Sequence, residues 1–126
     1  MSKKSVLTEG YPTVKVAGKT YTLEPTLKAV RQICGAYGGI LSAFQQVGQV
    51  NPGVSAAIIV FGAGINLKEQ EEIDAFEEAV WRTPRSDYAN GITKYLGLLL
   101  NGGKPPEEET EDDNQEPKKE ADQGNG

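Results

Sequence analysis

The sequence predicts a mainly α-helical domain with one N-terminal antiparallel β-hairpin. Two patterns carry that class. Between Val14 and Leu23 apolar and polar residues alternate, the period of half-buried strands. From Leu27 to Leu100 apolar residues recur three and four apart, the period of helices buried on one face. The expected architecture is a hairpin packed on a small bundle of about five helices, spanning 11–103. Residues 1–10 read as a flexible N-terminus and 104–126 as a disordered acidic tail.

In the hairpin, Val14, Val16, Tyr21 and Leu23 alternate with Lys15, Thr20 and Thr22. Gly18-Lys19 suits a two-residue II′ turn with Gly first. That turn pairs Val16 with Tyr21 and Val14 with Leu23, all on one face. A lone hairpin is marginal in water, so it must pack on the helices that follow.

Thr26 is placed to cap the first helix. Leu27, Val30, Ile33, Cys34 and Tyr37 form its apolar stripe. Gly38-Gly39 ends or kinks it. Ile40, Ala43, Phe44 and Val47 then make a second short helix. Asn51-Pro52 is a start signal, a capping side chain followed by Pro at the first helical position. The helix from Pro52 to about Gly64 is apolar almost all round, which suits a central helix or one partly used in association. Asn66, with Glu69 three residues on, has the form of a capping box. Glu69, Glu71 and Glu72 sit at the positive end of that helix dipole. Ile73, Phe76 and Val80 are its apolar face, with Trp81 at the margin. Thr83-Pro84 stops it. Ser86 or Asp87 starts the last helix, whose stripe is Tyr88, Ile92, Tyr95, Leu96 and Leu99, broadened by Leu98 and Leu100. Gly102-Gly103 closes it.

Composition narrows the function. The 126 residues amount to one domain's worth. There is no His and one Cys, Cys34. A Ser-His-Asp or Cys-His triad and a His-ligated zinc are therefore excluded. One cysteine gives no intrachain disulfide and no multi-cysteine metal site. The net charge of −5 is unevenly spread. Residues 1–103 carry ten bases and nine acids, whereas 104–126 carry three bases and nine acids. The N-terminus lacks the apolar core of a signal peptide, because Glu9, Gly10 and Pro12 interrupt it. Val54–Ile65 is too short for the ~20 residues of a membrane span. The expectation is a soluble cytoplasmic protein without a membrane partner.

Several motifs resolve into structural roles. Ala17-Gly18-Lys19-Thr20 looks like the end of a phosphate-binding loop, but position 13 is Thr where Gly is required, and strand follows instead of helix. The Gly clusters at 35–39 and 62–64 follow no strand of a βαβ unit, so they do not make a dinucleotide fingerprint. Glu69, Glu71, Glu72, Asp74, Glu77 and Glu78 read as a solvated helix face. Cys34 lies on an apolar stripe with no His to activate it and reads as core. Trp81, Arg82 and Arg85 form an aromatic-basic patch of the kind favoured at protein interfaces. Nucleic acid is not an expected partner, since the body lacks a basic stripe.

The order of features carries a resemblance. Val-Lys-Val-Ala-Gly-Lys-Thr-Tyr-Thr-Leu leads into Pro-Thr-Leu-Lys-Ala-Val. A Gly-broken helix pair, an apolar helix, an acidic helix and a Leu-rich final helix follow. Over Val14–Leu100 this resembles the small tail assembly chaperones of long-tailed phages, in particular the gene-transfer-agent-type family. The resemblance implies a protein that binds the tape-measure protein in the host cytoplasm before the tail tube polymerises, with the tail tube protein as a further candidate partner. It implies action by protein–protein contact without a cofactor; the lack of His and of a catalytic signature adds the expectation of no metal and no enzymatic activity. The candidate partner surface is Trp81, Arg82 and Arg85 together with Tyr95, Leu96, Leu99 and Leu100. Apolar helix faces in excess of what ~100 residues bury also leave homo-oligomerisation open. The alternatives are a structural subunit of a phage tail or neck and a small helical DNA-binding regulator.

Overall fold

The computed structural model describes residues 10–104. Strands β1 (Thr13–Val16) and β2 (Lys19–Thr22) form the antiparallel hairpin. Five helices follow: α1 (Leu27–Tyr37), α2 (Ile40–Gly48), α3 (Pro52–Ala63), α4 (Gln70–Arg82) and α5 (Ala89–Leu100). A single 3₁₀ turn, Arg85–Asp87, joins the last two. The mainly helical class with an N-terminal hairpin is as expected. Apart from Gly10 and Lys104, the expected flexible N-terminus and acidic tail lie outside the described residues. Among the described residues no helix is long and apolar enough to cross a membrane.

The hairpin register differs from the expected one. Val16 pairs with Lys19 and Val14 with Tyr21. The turn is therefore Ala17-Gly18, with φ of 53° and 83°. Positive φ at both central residues is I′ geometry, whose twist matches that of the strands. The slip moves every partner by two positions, so it preserves which residues point inward. Val14, Val16 and Leu23 are buried. A left-handed alanine costs roughly 1–2 kcal/mol. Here the Ala17 amide is held by the Thr83 hydroxyl at 3.0 Å, a contact that no local pattern reveals.

Helix boundaries follow their caps. Thr26 accepts from the Ala29 amide, and Gly38 ends α1 with φ of 88°. Asn51 Oδ1 accepts from the amides of Gly53 and Val54, with Pro52 in the first turn of α3. At α4 the expected Asn66 cap is displaced to Glu69. The Glu72 carboxylate accepts from the amides of Lys68 (2.8 Å) and Glu69 (3.2 Å). Glu69 and Glu72 form a reciprocal capping box, which satisfies these donors with negative charge at the positive helix end. Those two hydrogen bonds hold the Glu72 carboxyl below its ordinary pKa. The last helix starts at Ala89 and not at Ser86 or Asp87, because the 3₁₀ turn takes up the intervening residues. It closes where the Gly103 amide reaches the Leu98 carbonyl at 2.7 Å.

The core surrounds α3, which buries Val54, Ala56, Ile58 and Ile59. Against it stand Ala29 and Ile33 of α1, Ala43 and Val47 of α2, and Ile92, Tyr95 and Leu96 of α5. Each large apolar side chain so buried contributes about 1.5–3 kcal/mol. The α1 stripe is narrower than expected: Leu27 is 62% exposed, and Val30, Cys34 and Tyr37 are only half-buried. Two close approaches set the geometry. At Gly91 a Cβ would overlap the Thr13 carbonyl oxygen and meet Val14 Cγ1 at 2.7 Å. At Gly62 it would meet the Tyr95 ring at 2.9 Å. Tyr95 also donates its hydroxyl to the Glu24 carbonyl at 2.7 Å, and Glu24 donates its amide to the Gly62 carbonyl. Hairpin, α3 and α5 are thus joined at one point.

Candidate partner-binding surface

The residues expected to bind a partner divide between core and surface. Tyr95 and Leu96 are fully buried and Leu99 is 9% exposed. They belong to the α5 core face, not to a partner surface. The reason is that α5 packs inward on α2, α3 and β1, so its Leu-rich stripe is already covered. Leu100, one step further round the helix, is 51% exposed. Trp81, Arg82 and Arg85 are exposed near the end of α4 and in the 3₁₀ turn. Trp81 stands out, with 63% of its surface open.

The surroundings of Trp81 come from α4's helical spacing. Asp74, Glu77, Glu78 and Trp81 fall on one stripe, and with Pro52 of α3 they line a shallow depression. Arg82 lies 5.0 Å from the Trp81 ring centre and bonds Glu78 Oε2 at 2.8 Å. The ring therefore already takes a cation on one face. Asp74 accepts from the Gln70 side-chain amide at 2.9 Å. Among the described residues neither Asp74 nor Glu77 is ion-paired.

A groove of about 360 Å³ opens on the other side of Glu77. Its apolar lining includes Ala57, Val60 and Phe61 from α3, Ile65 from the following loop, and Ile73 and Phe76 from α4. Gln32 and Glu77 are polar members of its rim. The groove runs where α4 packs on α3 with only part of its apolar face. Val80 is the one buried residue of α4, and the expected apolar face is only partly covered, with Ile73 40% exposed and Phe76 half-buried. Phe76 leans edge-on against Tyr21 of the hairpin at 5.8 Å between ring centres. The Glu77 carboxylate adds to burial in pushing the nearby Tyr37 hydroxyl above its ordinary pKa.

The sequence points to Trp81 by name, leaves the apolar helix α3 open as core or association surface, and gives Ile73 and Phe76 only as the apolar face of α4. The signal for the groove is indirect: α3 is apolar almost all round, more than a small body covers. Among the described residues no three carboxylates or thiols converge on a point where a metal ion could sit. No known family model, curated protein or solved structure matches the chain.

Proposed function

We propose that this chain is a tail assembly chaperone of a long-tailed phage, binding the tape-measure protein in the host cytoplasm while the tail is built. In this reading it acts by protein–protein contact, without a cofactor and without catalysing a reaction. The order of hairpin and helices over Val14–Leu100 supports the class, through its resemblance to the gene-transfer-agent-type chaperones. The observation that carries the reading is the apolar groove between α3 and α4, flanked by the exposed Trp81. A tape-measure protein is long and helical, and an amphipathic helix is the shape an apolar groove accepts.

The test is affinity capture of the N-terminally tagged chain from cells producing particles, read by mass spectrometry alongside purified particles. The expected result is recovery of a very long, helix-rich protein, with this chain absent from finished particles. Recovery of tube or neck subunits, with this chain present in particles, makes it a structural subunit instead.

A further inference from the structure

We propose that the groove and the Trp81 depression form one continuous docking surface, and that its occupant is an amphipathic partner helix with a basic flank. This deepens the chaperone reading and rests on it for the partner's biological identity. Glu77 lines both concavities, so the two are neighbours across a single side chain of α4. Ala57, Val60, Phe61, Ile73 and Phe76 offer an apolar floor for side chains spaced at i, i+3, i+4 and i+7.

Charge selects the occupant. Asp74, Glu77 and Glu78 line the surface, and no Lys or Arg is among the residues lining either concavity. Arg82 neutralises Glu78, leaving Asp74, Glu77 and the open part of the Trp81 ring for a cation from outside. An aromatic face beside carboxylates is the pairing that holds Lys or Arg. The same charge disfavours the other occupants. A second copy would bring the same acidic α4 stripe against itself. The chain's own segment 104–126, with nine acids and three bases, would be repelled.

The full chain is titrated against two fluorescein-labelled, Trp-free peptides of about 20 residues, long enough to form a helix on binding. Both carry Leu at i, i+3, i+4 and i+7. One has Lys along the flank and the other Glu. Anisotropy reports binding, and emission of Trp81, the chain's single Trp, reports its place. The Lys peptide is expected to bind and shift Trp81 emission, and the Glu peptide to bind at least about tenfold more weakly. The double variant Asp74→Lys, Glu77→Lys is expected to lose about tenfold in affinity for the Lys peptide with its circular dichroism unchanged. Both positions are exposed, so folding is not at stake.

Equal binding of the two peptides, binding by neither, or indifference to the double variant overturns the inference. The chaperone reading has its own readout. Tape-measure capture with no peptide preference leaves that reading standing and removes this one. Lys-peptide binding at Trp81 without tape-measure capture does the reverse.

Discussion

The amide of Ala17 donates to the hydroxyl of Thr83 across 66 positions of sequence, at 3.0 Å. The same hydroxyl gives its own proton to the Ala79 carbonyl at 2.7 Å. One side chain therefore closes the end of α4 and holds the hairpin turn. Thr83→Val keeps the shape but leaves the Ala17 amide without this partner. The expected cost is about 1–2 kcal/mol, read as a lower urea midpoint at unchanged slope.

The register at Ala17 is separately testable. A left-handed first turn residue followed by Gly is the position where Asn is favoured. Ala17→Asn is expected to stabilise by about 0.5–1 kcal/mol. Were Gly18-Lys19 the turn, position 17 would lie in a strand and Asn would destabilise it. The sign of the change in thermal midpoint decides between the two registers.

Two glycines of α5 should respond oppositely to alanine. At Gly91 a methyl group meets the backbone of β1, and neither side has room to yield. Gly91→Ala is expected to cost about 3 kcal/mol through overpacking. Gly97 has open space around its missing Cβ. Gly97→Ala is expected to gain about 0.5–1 kcal/mol of helix propensity. Parallel denaturant curves measure both.

Burial, helped by the Glu24 carboxylate, raises the Tyr95 hydroxyl above its ordinary pKa. The sign follows from proton counts. Above about pH 10 the unfolded phenol loses its proton while the folded one keeps it. The unfolded state then binds fewer protons, so stability is complete below that pH and falls as pH rises further. Tyr95→Phe is expected to be less stable at neutral pH, through loss of the Glu24 hydrogen bond, and to show a shallower alkaline decline. Urea midpoints collected from pH 8 to pH 11 test both features.

The end of α5 separates core from surface within one residue. Leu99→Asp puts a charge where 9% of the residue is accessible and is expected to prevent cooperative folding. Leu100→Asp, at 51% exposure, is expected to cost only about 1 kcal/mol and to leave unfolding cooperative. Circular dichroism melts of the two variants make the comparison.

Much of the fold was legible because its signals are local. Thr26 and Asn51 cap the helices they were expected to cap, and Gly38 ends α1 as a left-handed residue. The surface was less legible. Trp81 could be singled out as an aromatic beside two arginines, and it is exposed. Tyr95, Leu96 and Leu99 looked equally available, because an apolar stripe reads the same whether a partner or the protein's own core covers it. Ile73 and Phe76 failed in the opposite direction, expected as core and found along an open groove.

By itself, the sequence determined element type, order and most boundaries: hydrophobic period and capping chemistry act within a few residues. Only the tertiary structure decided the hairpin register and which apolar faces stay uncovered. A two-residue slip keeps Val14 and Val16 facing inward, so periodicity is blind to it, and the resulting turn carries the Thr83 hydrogen bond to Ala17. Burial of a face depends on which helices arrive opposite it, and that is a property of packing, absent from any single segment.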